Sequence, residues 1–224
     1  MDYPLLTNTP VKEIIFNISF AETVSISMLE TFMSTFKDSS YTSISSGFDV
    51  KVVEKAGYIL KNSEKNRMLS VKTGALSFHK LRDHSPYEDL MTVLNDFWSS
   101  FQEICGKLTV TRVAIRYINI IELDGEESIS DVVKIGVAHP YKNVQNCLGQ
   151  VRFDLDDISV GSVVVTKVSS SESSEDSVLL DIGVRREYNN RVFENISEAF
   201  EGMREYKNSM FFEALTDKTI HRYE

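Results

Sequence analysis

The chain has 224 residues, 42% of them hydrophobic, which is enough for the core of one large domain or two small ones. Its formal net charge of −9 gives no overall attraction to nucleic acid or to an anionic membrane. Two cysteines are too few for a disulfide framework. The sequence has no signal-peptide pattern and no apolar run of roughly 20 residues that could span a membrane. We therefore expect a cytoplasmic protein without a membrane segment.

The first half of the chain shows apolar patterns with strand spacing and helix spacing in turn. Residues 11–20 alternate apolar and polar side chains, as a strand with one buried face does. A short amphipathic helix follows, and turn signals separate the next strand segments. The predicted elements are a strand at 11–20, a helix at about 26–37, and strands at about 43–55, 57–62 and 66–80.

The strongest helix signal lies at residues 86–105. Apolar and aromatic side chains recur there at helical spacing, and they include Trp98 and Phe101. Ser85 is the predicted N-cap, with Pro86 in the first turn and Glu88 completing a capping box. Gly106 is expected to end the helix. A row of aromatic residues on one face predicts a buried core stripe.

The central segment Thr109–Leu123 is rich in β-branched residues and predicts a long strand. One face carries Val113, Ile115, Tyr117 and Asn119, and the other carries Arg112, Ala114, Arg116, Ile118 and Ile120. Apolar residues on both faces predict a strand that is covered on both sides. Arg116 would then need a partner, which we expect to be a carboxylate on a helix.

The order of elements appears again after the central strand. The predicted elements are a short helix at 128–136, strands at about 150–156, 159–169 and 177–187, a helix at about 190–207 and a last helix at about 208–222. The serine-rich acidic tract 169–176 is predicted to be a solvated hairpin tip.

This order predicts an α+β fold built from a duplicated βαβββα unit. The first half would comprise residues 1–108 and the second residues 109–224, together forming one compact unit. Antiparallel sheets would carry two long helices, 86–105 and 190–207, in equivalent positions. The alternative is a single curved sheet wrapped around the helices in the helix-grip manner.

No signature of a nucleotide-binding loop, a zinc site or a serine hydrolase occurs in the sequence. We therefore predict no catalytic residue, no metal ligand and no cofactor. The nearest approach to a metal site is the run Asp154, Asp156 and Asp157, for which a solvated turn is the favoured interpretation. The basic groups Arg185-Arg186 and Arg204–Lys207 are flanked by glutamate, so nucleic-acid binding is only the third hypothesis.

Two sets of residues remain as candidates for function. Arg116, Tyr117 and Asn119 could form a small-ligand site in a pocket between the halves, with Arg116 as the anchor for an anion. The C-terminal segment carries a wide apolar stripe, which comprises Met210, Phe211, Phe212 and Leu215. A stripe wider than one contact favours a homodimer through this segment, and closure over the chain's own core is the alternative.

The stretches Pro10–Glu13, Tyr87 with Trp98, Arg112–Asn119 and Lys207–Thr216 together resemble those of one protein family. It is a sporadically distributed family of uncharacterised bacterial and archaeal proteins with an Arg-Tyr-Ile-Asn strand and a C-terminal Phe-Phe-x-x-[Ile/Leu]-Thr helix. The usual glycine-leucine before Arg-Tyr-Ile-Asn is replaced by Ala114-Ile115. The resemblance covers most of the chain and implies a fold but no catalytic residues.

The patchy distribution of that family resembles the distribution of mobile or defence-associated genes. Together with the missing motifs, this favours a non-enzymatic protein-interaction or accessory module with an unknown protein partner. A small-ligand-binding protein or enzyme is the second hypothesis.

Overall fold

The computed structural model of the protein describes residues 3–4, 6–35, 42–44, 57–82, 85–134, 148–169 and 176–224, with the backbone alone at 42–44, 148 and 169. The fold is α+β. Its strands are β1 Val11–Phe20, β2 Thr42–Ile44, β3 Gly57–Asn62, β4 Arg67–Lys72, β5 Ala75–Leu81, β6 Thr109–Glu122, β7 Leu148–Asp154, β8 Ser159–Ser169 and β9 Asp176–Val192. Its helices are α1 Ile26–Ser34, α2 Tyr87–Cys105, α3 Ile129–Val132, the 3-10 helix Ile196–Phe200, α4 Met203–Ala214 and α5 Asp217–Tyr223.

The nine strands form one sheet in the order β2-β3-β4-β5-β1-β6-β9-β8-β7. Neighbouring strands are antiparallel, as the registers of the β2–β3, β3–β4, β4–β5 and β7–β8 pairs show. At the centre, the end of β1 meets the start of β6, because Ala21 N–H donates to the Thr109 carbonyl (2.9 Å). A single sheet agrees with the alternative architecture in this respect.

By backbone contacts the chain forms two compact units. The α2 unit comprises Ile14–Ile115 and Arg185–Glu201, and the α4 unit comprises Met1–Glu13, Arg116–Val184 and Gly202–Glu224. Strands β1, β6 and β9 contribute residues to both units. Neither unit is a continuous half of the chain.

Aromatic side chains form the core of the α2 unit. Trp98 and Phe101 are fully buried, as the sequence predicts. Phe101 meets Phe32 of α1 edge-on, with ring centroids 5.0 Å apart. Trp98 Nε1–H donates to the Phe193 carbonyl (2.9 Å), which satisfies the indole donor inside the core. Helix α2 is thus attached both to α1 and to the segment after β9.

Helix α2 begins and ends within a residue of its predicted bounds. It ends at Gly106, the predicted position, and Glu88 and Asp89 lie in its first turn, where carboxylates are favoured by the helix dipole. The predicted capping box at Ser85 does not form. Pro86 occupies the N-cap position, and no side-chain hydrogen bond caps this end.

In the α4 unit, both chain ends pack near the C-terminal helices. Thr7 N–H donates to the Tyr223 carbonyl (2.8 Å) and Thr7 Oγ1 donates to the Glu224 carbonyl (2.8 Å). Tyr3 stacks on Phe212 with ring centroids 4.8 Å apart and planes 6° from parallel. The N-terminal segment therefore covers part of α4.

The predicted strand at 66–80 is wrong, because the chain reverses within it. Residues 67–72 and 75–81 form the separate strands β4 and β5, joined by the two-residue turn Thr73-Gly74. The buried apolar residues are Leu69 and Val71 before the turn and Leu76 and Phe78 after it. The buried residues are odd-numbered before the turn and even-numbered after it, so a single continuous strand could not bury both sets on one face.

The predicted helix at about 190–207 is also wrong. Strand β9 continues to Val192, a 3-10 turn follows at Ile196–Phe200, and α4 begins at Met203. Gly202 precedes α4 in the left-handed conformation (φ 73°), which glycine adopts without strain and which interrupts a helix. Phe193, Ile196, Phe200 and Met203 are all buried, but they lie in the segment after β9, in the 3-10 helix and in α4. The described chain therefore contains one long helix, α2, where two were expected.

The residues predicted for the two faces of β6 do lie on opposite faces. The prediction that both faces are covered is wrong. Val113, Ile115, Tyr117 and Asn119 are buried, as predicted for one face. The opposite face is half-buried, and Arg116 on it is exposed. An antiparallel sheet packs one face on the core and leaves the other to solvent, which is what β6 does.

No helix in the described part of the chain is both long enough and apolar enough to cross a membrane. Four predicted elements lie partly outside the described residues. They are the helix at about 26–37, the strand at about 43–55, the short helix at 128–136 and the acidic tract 169–176.

Candidate functional site

Arg116, the predicted anion anchor, is neutralised by a neighbouring strand. Its Nε and Nη2 atoms both donate to the carboxylate of Asp181 on β9, the Nε bond at 3.3 Å. This hydrogen bonding raises the pKa of Arg116. The partner is a strand carboxylate and not the helix carboxylate that we expected. An arginine that already donates two N–H groups to a carboxylate has its charge compensated. It therefore attracts an incoming anion less strongly.

Tyr117 and Asn119 lie on the opposite, buried face of β6, so the structure separates them from Arg116. Asn119 Nδ2 donates to the carbonyls of Tyr117 (3.2 Å) and Leu180 (3.0 Å). Its Oδ1 atom is buried and accepts no hydrogen bond from the described residues. A buried acceptor without a donor costs free energy, so Asn119 is a position of unused hydrogen-bonding capacity.

Lys207 of α4 lies over the ring of Tyr117. Its Nζ atom is 4.1 Å from the ring centroid, a cation–π contact. No carboxylate of the described residues forms an ion pair with Lys207, which is half-buried as a residue. Burial, and to a lesser degree the charge of Arg204, lower the pKa of Lys207 to about 8. Part of the Lys207 population is therefore a neutral amine near neutral pH.

A second charged cluster joins α5 to the loop before α3. The Arg222 guanidinium donates to both carboxylate oxygens of Glu127 (2.7 Å each), and Lys218 donates to the same carboxylate. Burial acts to raise the pKa of Glu127, but these bonds and one from the Asp124 N–H lower it to about 2. Every charge in this cluster has a partner, so we interpret the cluster as structural.

The predicted interaction residues of the C-terminal segment mostly face their own chain. Met210, Phe211 and Leu215 are buried, and Leu215 forms a β-bridge with Val133. Phe212 is half-buried beneath Tyr3. The width of the apolar stripe therefore has an explanation within one chain, and dimerisation through this segment stays a prediction.

Strand β7, at one edge of the sheet, presents an apolar surface instead. Val151 and Phe153 are 45% and 37% exposed, which is high for large apolar side chains. They lie opposite Val163 and Gly161 of β8, two buried positions, and so share the buried face of the sheet. The Phe153 ring occupies the space that a Cβ atom of Gly161 would fill, 2.7 Å away. The described structure has no strand beyond β7 to cover these side chains.

The other face of β7 is charged. Arg152 and Asp154 are exposed, and neither forms an ion pair with a described residue. When the Gln150 amide is oriented with its oxygen toward Arg152, it accepts from Nε (3.1 Å) and Nη2 (3.2 Å). This face of β7 thus carries a cation and an anion two residues apart, and neither has an oppositely charged partner among the described residues.

The turn after β7 does not gather its acids as metal ligands. Asp156 accepts from the Ile158 N–H (2.9 Å) and from the Tyr206 hydroxyl (3.0 Å), and the first of these bonds is the main cause of its lowered pKa. Within the residues that the structure describes, no three His, Cys, Asp or Glu side chains are grouped as metal ligands. Burial raises the pKa of Cys105 to about 11, so this thiol is protonated at neutral pH.

No protein-family model matches the chain, and no curated protein matches it either. The resemblance to the family with the Arg-Tyr-Ile-Asn strand therefore stays an expectation.

Two features of the candidate sites were missed in the sequence. In the sequence Lys207 is one of several basic neighbours, and nothing local indicates that its ammonium group reaches Tyr117, 90 positions earlier. The alternation of Val151, Arg152, Phe153 and Asp154 is visible in the sequence, but an edge strand and an inner strand can share this pattern.

Proposed function

We propose that this protein is a protein-interaction module that binds an extended segment of a partner along the outer edge of β7. The observation that carries the proposal is the pair of exposed apolar side chains, Val151 and Phe153, on this edge strand. An added strand would form backbone hydrogen bonds with β7 and would cover both side chains, which is the usual mode of strand addition.

The protection that edge strands normally carry supports this proposal. Soluble proteins usually guard an open edge with proline, lysine or an inward-pointing charge. Strand β7 has no proline and no lysine, and its inward face carries Gly149, Val151 and Phe153. Its two charges point to the other face. The edge is therefore suited to pairing.

Selection of extended peptides tests the proposal. A phage-displayed library of random heptapeptides is panned on the whole protein, and hydrogen exchange then locates the binding site of enriched peptides. We expect protection of the β7 amides and at least tenfold weaker binding to Val151→Lys and to Phe153→Lys. Ile26→Lys is the matched control, because Ile26 is equally exposed (42%) on α1. Peptides that bind all three variants equally would exclude β7 as the site.

A second candidate function follows from Lys207. A lysine without a carboxylate partner, with its pKa lowered to about 8, has the properties of an amine that reacts with carbonyl compounds. Its neutral amine would add to the carbonyl carbon of a small aldehyde or ketone, and loss of water would leave an imine. In this hypothesis Lys207 replaces Arg116 as the anchor of a small ligand, beside Tyr117.

Trapping of the imine tests the second candidate. Pyridoxal 5′-phosphate is added at pH 8, borohydride reduces the imine, and mass spectrometry quantifies modification at each lysine. We expect Lys207 to react at least tenfold faster than Lys107, an exposed lysine paired with Glu194. Equal rates at the two positions would contradict the hypothesis, and Lys207→Arg provides the blank.

We also propose that the fold arose by duplication of a βαβββα unit. The strand order supports this, because β5-β4-β3 follow outward from β1 as β9-β8-β7 do from β6. Helix α4, and not a helix at 190–207, would then be the counterpart of α2. Superposing residues 11–106 on 110–214 tests the proposal. Failure to align both helices and at least three strands in the same order would contradict it.

A further inference from the structure

We propose that the segment which pairs with β7 is β7 of a second copy of this chain, in an antiparallel register centred on Phe153. This inference rests on the proposed function of β7 as a binding edge and names its partner. A two-fold axis perpendicular to the sheet would relate the copies and would join their sheets edge to edge. The choice of partner follows from the charges of β7.

Symmetry restricts the register to a few choices. Residues opposite each other on paired strands share a face. The two-fold axis must therefore lie midway between one residue of β7 and the same residue of the second copy. An axis at Arg152 would set two guanidinium groups opposite each other, and an axis at Asp154 would do the same with two carboxylates. Both arrangements place like charges directly opposite, which is unfavourable.

An axis at Val151 sets Arg152 opposite Gln150 and Asp154 opposite Leu148. Neither charge then has a charged partner. An axis at Phe153 sets Arg152 of each copy opposite Asp154 of the other, so two ion pairs form from charges that are unpaired within the described chain. Within β7 itself, Leu148–Asp154, only this register sets opposite charges against each other.

The apolar face of β7 fits the same register. The two Phe153 rings would lie opposite each other at the axis, and aromatic pairs at such positions stabilise sheets. Val151 would lie opposite Leu155, a half-buried residue of the turn after β7. Phe153 would thus be covered by Phe153 of the second copy, and Val151 by the start of the copy's turn.

Charge exchange tests the proposal in the full-length protein. Light scattering should give twice the chain mass of 25.5 kDa at micromolar concentration. Arg152→Asp and Asp154→Arg should each weaken the dimer at least tenfold, because each creates like-charge pairs. The double variant Arg152→Asp/Asp154→Arg recreates opposite charges and should restore the dimer. Both side chains are exposed, so circular dichroism should show all variants folded.

Cysteine cross-linking tests the register. In a background without the two native cysteines, Phe153→Cys should form an intermolecular disulfide under mild oxidation, since the two positions would face each other across the axis. Faster cross-linking through Val151→Cys would overturn this register. A monomeric wild-type protein, or a dimer indifferent to all charge variants, would overturn the second copy as partner. If the wild type is monomeric and selected peptides still protect β7, the proposed function stands and only this inference fails.

Discussion

The cationic side chains of this protein differ in their partners, because carboxylates lie within reach of some and not of others. Arg116 sits on the open face of β6 and finds Asp181 on the next strand. Lys207 sits over the buried face of β6 and finds the ring of Tyr117 instead of a carboxylate. The π face compensates only part of the lost hydration, so the charged form of Lys207 is disfavoured and its pKa falls to about 8.

The stability of the protein should therefore rise at alkaline pH through Lys207. Its folded-state pKa lies below the unfolded value of about 10.4, so the unfolded chain binds more protons between these two values. The free energy of unfolding of the wild type, relative to Lys207→Met, should increase from pH 8 to about pH 10.4. Urea denaturation across this range measures the difference. A constant difference would mean that the lysine titrates normally.

Glu127 should show the complementary dependence in acid. Its pKa is about 2 in the folded protein, below the unfolded value of about 4.3, so its bonds to Lys218 and Arg222 contribute stability above pH 4.3. This contribution disappears as the pH falls toward 2. Glu127→Gln should cost roughly 1–2 kcal/mol at pH 7 and much less at pH 2.5. Glu126→Gln, at an exposed neighbouring residue, is the control.

At the scale of elements, α2 is the best-determined part of the fold. Its buried stripe packs on α1, on the sheet and on the segment after β9, so one helix connects parts of the chain that are far apart in sequence. Trp98 contributes both apolar area and a hydrogen bond to this packing. The segment after β9 turns there as a 3-10 helix, which places Phe200 edge-on to Phe16 (5.5 Å).

Truncation of Trp98 should be among the most destabilising single changes. Trp98→Ala removes a fully buried indole and should cost about 3–5 kcal/mol of unfolding free energy. Trp98→Phe retains an aromatic ring but deletes the bond to the Phe193 carbonyl, and should cost less. Circular dichroism should monitor unfolding, because Trp98 is the only tryptophan. An alanine variant within 1 kcal/mol of wild type would contradict this packing.

At the scale of the whole molecule, two surfaces are candidates for the proposed dimer contact. The C-terminal stripe is largely covered by its own chain, through the core and through Tyr3. The edge of β7 has no cover in the described structure. A net charge of −9 on each copy opposes association in general, so a contact must supply specific attraction, and Arg152 with Asp154 can do so.

The Phe212→Asp variant separates the two surfaces. If β7 forms the contact, this variant should keep the dimeric mass in light scattering while losing stability, since the Tyr3–Phe212 stack is lost. Phe153→Asp should instead reduce the mass to that of one chain. Dissociation by Phe212→Asp in a folded protein would return the interface to the C-terminal segment.

Local periodicity determined much of this protein from its sequence alone. The bounds of β1, β3, β8 and α2 follow closely from alternation, helical spacing and turn residues, because those signals arise within each element. The buried face of β6 follows for the same reason. The predictions failed where one pattern spans several elements, as at Thr73-Gly74 and around Gly202.

Tertiary structure alone decided the candidate sites. Strand order made β7 an edge, and thereby turned an ordinary alternation of Val151 and Phe153 into an exposed surface. Packing of α4 over β6 places Lys207 against Tyr117 and lowers the pKa of Lys207. The neighbouring strand β9 places Asp181 beside Arg116. Desolvation and pairing depend on residues far apart in the chain. No local pattern encodes which carboxylate, ring or open edge a side chain will meet.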